Sequence, residues 1–384
     1  MKKSIIYSFL LLLSHTVSAQ KYTAIDKVAL KIPDSMTTST AGIARYVTAH
    51  FTTDEEKARA IFIWIASNIQ YDLPNMFAIN FYETKEEKIA KPLRTRKGIC
   101  ENYAAVFNDV CLHSGIRSYV IEGYTKQNWV TDYIPHAWCA AMINNSWYLF
   151  DPTWGSGYIN NKKFYKKIND YYFKAQPAVL IRSHMPFDYL WQFLPYPVTN
   201  QEFMDGKTGD DKSKPYFSYP DSLAEYEGQT SVQQLHASAA RIEKNGVKNS
   251  LVFDRLQHIK MELENTKVNS YNGAVMNYNE GINQFNTFIQ YRNVQFEPKR
   301  SDAAIQDMLD SSANELRSAI AILNSIQNTN TENAALVKQL TRSVNDAMVH
   351  VNEQEEWLKK YFSKGKVGRH LMFNKYTWLG MPLN

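Results

Sequence analysis

Cysteine is scarce: the 384 residues contain three, Cys100, Cys111 and Cys139. Three cannot staple a chain of this size, so the fold has to rest on an apolar core rather than on a disulfide framework. An odd count leaves at least one thiol over, and an unpaired thiol in an oxidising compartment calls for a functional reason. Long apolar runs are missing too. No stretch approaches the roughly 20 residues of a spanning helix, so no integral membrane segment is expected once the N-terminus is removed. Lysine and arginine form no dense run that would follow a phosphate backbone, and the formal charge of +5 gives no reason to expect a nucleic-acid partner. Metal-type cysteine pairs do not recur, and nothing in the sequence resembles a calcium cage, so neither metal nor cofactor is expected.

What is present begins with a leader. Lys2 and Lys3 precede an apolar run from Ile5 to Leu13 and the small residues of "VSA". This pattern reads as a secretory signal peptide over 1–19, cleaved near Ala19, and predicts an exported protein, periplasmic or secreted. With 44% hydrophobic and 21% charged residues, the remainder has an ordinary globular composition. Its length exceeds what one core usually serves, so two or three domains are expected.

Residues 20–197 read as an α+β domain. In "TDEEKARAIFIWIASNIQ", Ala58, Ile61, Phe62, Ile65 and Ile69 recur at helical spacing, and Thr53 with Glu56 forms a capping box. A looser stretch follows, in which Pro74 and Pro92 argue against one continuous helix. A second helix is expected from about Cys100 to His113, with Gly115 at its C-terminal cap. "IRSYVIEGYT", "HAWCAAMI" and "SWYLFDPTW" read as antiparallel strands, the last two joined by a tight turn at Asn144-Asn145.

Residues 198–225 are rich in glycine, proline and polar side chains and read as a linker. Beyond them the period is 3.6: one apolar stripe runs from Leu256 to Ile289, a second from Ile305 to Leu323 and a third from Leu336 to Phe362. An antiparallel helical bundle over 226–365 follows, with a turn at "NTNT" and a shorter helix near 229–245. The aromatic tail 366–384 is too apolar to be free and is expected to dock.

The chemistry centres on "RTRKGICENYAAVFNDVC". A cysteine in the first turn of a helix faces unpaired N–H groups and the positive end of the helix dipole, which favours ionisation of a thiol. It needs a base, and the base needs an orienting group. Both occur in order on the expected hairpin: His136 eight residues before the Asn144-Asn145 turn, and Asp151 six after it, an offset a bulge or strand twist absorbs. Read singly, each residue has a plainer role: Cys100 as a buried hydrophobe, His136 as a half-buried strand histidine, Asp151 as the start of a turn. Cys111 reads as a core residue, and His113 and His184 as capping or structural histidines without a nameable partner.

"GICENYA", "HAW" and "DPTW" resemble the Cys, His and Asp boxes of the transglutaminase-like superfamily of papain-type thiol enzymes. "DYYFKAQPAVLIRSHMPFDYLWQFL" is similar to the segment that follows in the kyphoscoliosis-peptidase-like branch. The resemblance covers roughly residues 50–195. It implies a papain/transglutaminase-like core in which the cysteine-bearing helix packs on an antiparallel sheet, followed here by the all-α bundle. It also implies acyl transfer through a thioester, with Cys100 as nucleophile, His136 as base and acid, and Asp151 as orienting carboxylate. Tyr71 is a candidate oxyanion donor beside the Cys100 N–H, and Trp138 and Trp154 are wall, core or cleft candidates. One departure is Cys139, where the family often has a polar residue after "HAW".

The leading expectation is an exported cysteine peptidase acting on a peptide or protein substrate, such as a cell-envelope peptide. The alternatives are a protein-glutamine transglutaminase or deamidase, and a non-catalytic scaffold that binds a protein partner through its helical bundle.

Overall fold

The computed structural model describes residues 22–77, 83–127, 130–326, 331–373, 377–378 and 381–382. The leader, the "NTNT" turn up to Asn330 and parts of the tail lie outside the described residues. The chain divides into two units, one ending at Ile259 and the other beginning at Lys260.

The first unit opens with α1 (22–29), α2 (Thr40–His50) and α3 (Asp54–Asn68). The Thr53–Glu56 capping box starts α3 as the spacing predicts. The chain passes through β1 (Gln70–Tyr71), α4 (Lys85–Thr95) and β2 (Lys97–Gly98) to α5 (Cys100–His113). Helix α4 forms in the stretch expected to be loose, because Thr84 and Glu87 make a second capping box. Pro92 sits inside it, in the last turn. Gly115 closes α5 at φ +82°, a conformation that side chains with a Cβ seldom adopt.

The sheet comprises β3 (Ser118–Gln127), β4 (Val130–Ile143), β5 (Ser146–Phe150) and, after β6 (Gly157–Asn160), β7 (Lys163–Lys166) and α6 (Pro177–Leu180), β8 (His184–Pro186). Its strand order is β5-β4-β3-β8, antiparallel throughout. Asn144 and Asn145, at φ 51° and 61°, make the expected two-residue turn between β4 and β5.

Alternation along β4 sends its side chains into two cores. Ala137, Cys139, Ala141 and Ile143 meet Val106, Phe107 and Val110 of α5, whereas Trp138 and Ala140 join Leu149, Leu180, Leu190, Phe193 and Leu223 on the other side. The second core corrects the linker assignment. Residues 198–225 include α7 (Asn200–Met204) and the start of α8 (Tyr219–Gly228), with Phe203 and Leu223 buried. A few apolar anchors outweigh the polar composition that reads as a linker. Helix α9 (Ser231–Asn245) likewise belongs to the first unit rather than to the bundle, its Arg241 pairing with Asp188 at 2.7 Å.

The division at residue 259 falls within α10 (Ser250–Asn293). The second unit comprises the rest of that helix, α11 (Asp302–Ser325), α12 (Thr331–Phe362) and α13 (Lys366–Leu371). The later part of the first apolar stripe and the second and third build its core around Phe288, Leu309, Leu316, Val344, Val351 and Leu358. Gly281 lets α11 approach closely, and Ser312 Oγ donates to its carbonyl at 2.7 Å. Phe373 packs against this core, and Arg369 grips Asp302 with two bonds of 2.6 Å.

Gly123 of β3 is where β8 comes closest: an added Cβ would collide with the Met185 carbonyl, lie 2.6 Å from the Trp138 ring and 2.8 Å from Pro186 Cα. Replacing Gly123 by Ala should therefore cost about 1–3 kcal/mol, measured as a lower urea midpoint with an unchanged slope.

Candidate active site

Cys100 stands in the first turn of α5, half-buried, at a point set by local hydrogen bonds. The Ile99 N–H donates to Asn102 Oδ1 at 2.9 Å, and Asn102 Nδ2 donates to the Lys88 carbonyl at 3.0 Å, tying the start of α5 to α4. The close fit of Gly98 against Asn102, where a Cβ would lie 2.8 Å from the Asn102 Cβ, explains the glycine two residues before the cysteine. Tyr103 donates its hydroxyl to the Ile69 carbonyl at 2.7 Å, anchoring the same turn to the end of α3. Parallel pairing of β1 with β2 sets Tyr71 opposite Gly98.

His136 on β4 and Asp151 just after β5 meet at 2.7 Å, Nε2 to Oδ2. The Asp151 carboxylate is wholly buried and has four donors. Oδ1 accepts from the backbone N–H groups of Thr153 at 2.8 Å and Trp154 at 3.0 Å, and Oδ2 is shared between His136 and His184, the latter at 3.0 Å. Burial alone would raise the pKa of Asp151, but the two imidazoles hold it well below the usual carboxylate range. Burial would lower that of His136; the Asp151 charge and the hydrogen bond His136 donates to it, with the neighbouring Cys100 sulfur, instead push it up to about 10. Because Nε2 is taken by Asp151, Nδ1 is the nitrogen left for a second partner.

Cys100 and His136 open onto a cleft of about 710 Å³ walled by Tyr71, Phe77, Trp154, Tyr158, Phe164, Tyr171 and Tyr172, with Lys126 and Asp132 as its charged members. Tyr71 and Trp154 thus line the cleft with Cys100. Trp138 does not: two residues along β4 from His136, it shares the histidine's face and is fully buried in the second core, so of its expected roles it takes the core one and its candidacy for the cleft is corrected. Its ring lies against His136 and His184, at centroid distances of 6.0 and 5.1 Å.

The other two thiols are sealed. Cys139 donates its S–H to the Ala104 carbonyl of α5 at 3.2 Å, and burial raises the pKa of both Cys139 and Cys111. Among the described residues, one group of side chains has donor atoms converging as metal ligands do: His136, Asp151 and His184, all within 4.8 Å. Their nitrogens are already bonded through hydrogen to Oδ2, and Oδ1 is taken by two backbone donors, which is the geometry of a hydrogen-bonded cluster rather than of an ion cage.

A match to the transglutaminase-like superfamily covers residues 41–152, a span that holds Cys100, His136 and Asp151. The chain carries a transglutaminase-like domain. Beyond that domain the chain is similar in sequence to the kyphoscoliosis peptidases. Human kyphoscoliosis peptidase is 34% identical over 191 residues, covering 45% of this chain and 28% of that protein. Hillarin of Drosophila melanogaster is 26% identical over 204 residues, covering 47% of this chain and 24% of its own length. The match to the Caenorhabditis elegans Lim and transglutaminase domain protein ltd-1 is 24% identical over 206 residues, with 47% and 27% covered. The chain thus spans less than a third of the length of these relatives.

Sequence reasoning about the transglutaminase-like domain missed two residues at its centre. His184 read as a histidine without a partner, yet it shares the Asp151 oxygen with His136; the signal lay in "SHMP", a short strand candidate whose pairing with β3 is a long-range event. Asn102 was legible as a polar residue at the third helical position, where a side chain reaches back to the helix start.

The elevated pKa of His136 has a consequence for stability. An imidazole whose folded pKa lies above its unfolded value of about 6.5 stabilises the fold fully below that pH and loses its contribution as pH rises through the folded value. The difference in urea midpoint between wild type and His136→Gln should therefore be largest below about pH 6.5 and shrink on titration through about 10.

Proposed function

We propose that the protein is an exported, thiol-dependent hydrolase of amide bonds in a peptide or protein, in which Cys100 is the nucleophile, His136 the general base and acid, and Asp151 the carboxylate that orients and charges His136. The single observation that carries this reading is the 2.7 Å contact of His136 with a fully buried Asp151, in a cleft that also exposes the Cys100 thiol. Export rests on the N-terminal sequence alone.

In the proposed reaction His136 already holds the proton at Nδ1, and Cys100 Sγ, as the thiolate partner of that imidazolium, bonds to the amide carbon. The tetrahedral oxyanion is held by the Cys100 N–H at the helix start, with the Tyr71 hydroxyl as second donor. The C–N bond then breaks, and the amine leaves with the proton from His136. Water, deprotonated by His136, attacks the thioester and releases the acid and the thiol. The aromatic walls favour apolar or aromatic side chains beside the reacting bond, and the printed name of the human and mouse relatives, a peptidase, favours water over an amine as acceptor.

Incubation of envelope peptides and unfolded proteins with wild type and Cys100→Ala, read by mass spectrometry, tests the chemistry. New termini should form at a rate at least about 10³-fold greater with wild type. Isopeptide bonds or deamidated glutamines would replace the hydrolase reading with transfer, and an inert Cys100 would leave a scaffold. For export, N-terminal sequencing of protein recovered outside the cytoplasm should begin at Gln20; a retained Met1 in a soluble cytoplasmic fraction would refute it.

A further inference from the structure

We propose that His184 is a positioning residue for the Cys100–His136 pair: it shares Asp151 Oδ2 with His136 through its own Nε2–H, while the Ser183 hydroxyl fixes its tautomer from Nδ1. The inference rests on the working pair proposed above and adds a residue to it.

The geometry leaves His184 one arrangement. Its Nε2 lies 3.0 Å from Asp151 Oδ2 and its Nδ1 2.8 Å from Ser183 Oγ, and its side chain is fully buried. A carboxylate oxygen only accepts, so Nε2 must carry the hydrogen; a neutral ring then presents a lone pair at Nδ1, and the Ser183 hydroxyl, 2.8 Å away and 3.4 Å from its other acceptor, the Leu180 carbonyl, is the donor to it. The opposite tautomer would set a lone pair against the Asp151 charge. Neutrality is enforced by the surroundings. Burial and the nearby His136 push the His184 pKa down, against the upward pull of Asp151 and, at longer range, Asp132. The ring is enclosed by Trp154 at 4.7 Å, Trp138 at 5.1 Å and Tyr172 at 6.0 Å between centroids. The titratable groups that face His136 in turn are Asp151, Cys100 and His184.

Sharing has a direction. Two N–H groups on one oxygen divide its negative charge, and the N–H dipole of His184 points its positive end toward the imidazolium that Asp151 must hold. His184 therefore tempers the pull of Asp151 on His136 and keeps its proton transferable. Without His184, Oδ2 belongs to His136 alone, and the proton is held more firmly.

The test is the pH profile of Cys100 alkylation by iodoacetamide in the full chain, read on the Cys100 peptide by mass spectrometry, so that no substrate is needed. The wild-type profile should show an inflection at the pH where His136 loses its proton, absent from His136→Ala. In His184→Leu that inflection should move up by about half to one pH unit, the equivalent of one neutral hydrogen bond. In His184→Gln, whose amide can donate to Oδ2, it should stay near the wild-type position. Ser183→Ala should move it in the same direction by less. An unmoved inflection in both His184→Leu and Ser183→Ala would overturn the proposal, as would a shift in His184→Gln equal to that in His184→Leu. Should His184→Leu fail to fold, Ser183→Ala decides alone: a shift supports the proposal and none refutes it. A wild-type profile already lacking the His136-dependent inflection would instead defeat the reading of Cys100 and His136 as a pair.

Discussion

The Asp151 carboxylate carries a full charge in a place water does not reach, and moving such a group out of water costs several kcal/mol unless it is paired and hydrogen-bonded. Its four donors come from three parts of the chain: β4 through His136, β8 through His184, and the turn after β5 through the Thr153 and Trp154 N–H groups. Each has to arrive for the charge to be tolerated. The turn is closed by Gly155, whose N–H donates to the Asp151 carbonyl at 2.9 Å and whose missing Cβ leaves room for the Phe62 ring of α3. The site's electrostatics and the sheet's topology are thus one constraint: β8 has to pair with β3 for the second imidazole to reach Oδ2.

The cysteine reaches this centre by a different route. Helix α5 lies close on the sheet because β4 presents the small residues Ala137, Cys139 and Ala141 on that face. Cys139 fits this constraint with its S–H turned to the Ala104 carbonyl, so its place next to the "HAW" box is explained by packing, not by a second reactive thiol. Hydrogen bonds from Asn102 and Tyr103 then fix the first turn, and the sulfur's position follows from both its own helix and its neighbours α3 and α4.

Much of this was legible because it is local. The Thr53–Glu56 box, the helix opening at Cys100, the Asn144-Asn145 turn and the ordered cysteine, histidine and aspartate boxes all depend on residues near one another in sequence. What escaped depends on distant partners. His184 lies 33 residues beyond Asp151 and acquires meaning only through strand pairing. Helix α4 was hidden because Pro74 and Pro92 pointed to a loose stretch, although a proline in the last turn of an 11-residue helix leaves most of its bonds intact. The apolar stripe of α10 is continuous across residue 259, so its period gave no sign that Val252, Leu256 and Ile259 fall in the first unit. Helical period reports which face is buried and is silent about which core buries it.

Exposure falls inward from the cleft: Cys100 is half-buried, His136 retains 8% of its surface, and Asp151 and His184 are sealed. That order separates two tasks a polar site has to reconcile. A thiol must meet a substrate, which requires access; a carboxylate steering an imidazole is strongest where no solvent screens it. Placing the charge behind the imidazole and the imidazole behind the sulfur satisfies both, and it makes His136 the point where the cleft meets the sealed carboxylate. A change at the buried end, whether in the sharing of Oδ2 or in the seating of β8, can reach the sulfur through this one ring. In the proposed reaction the Ser183–His184 arm would therefore act on the Cys100 thiol without touching it.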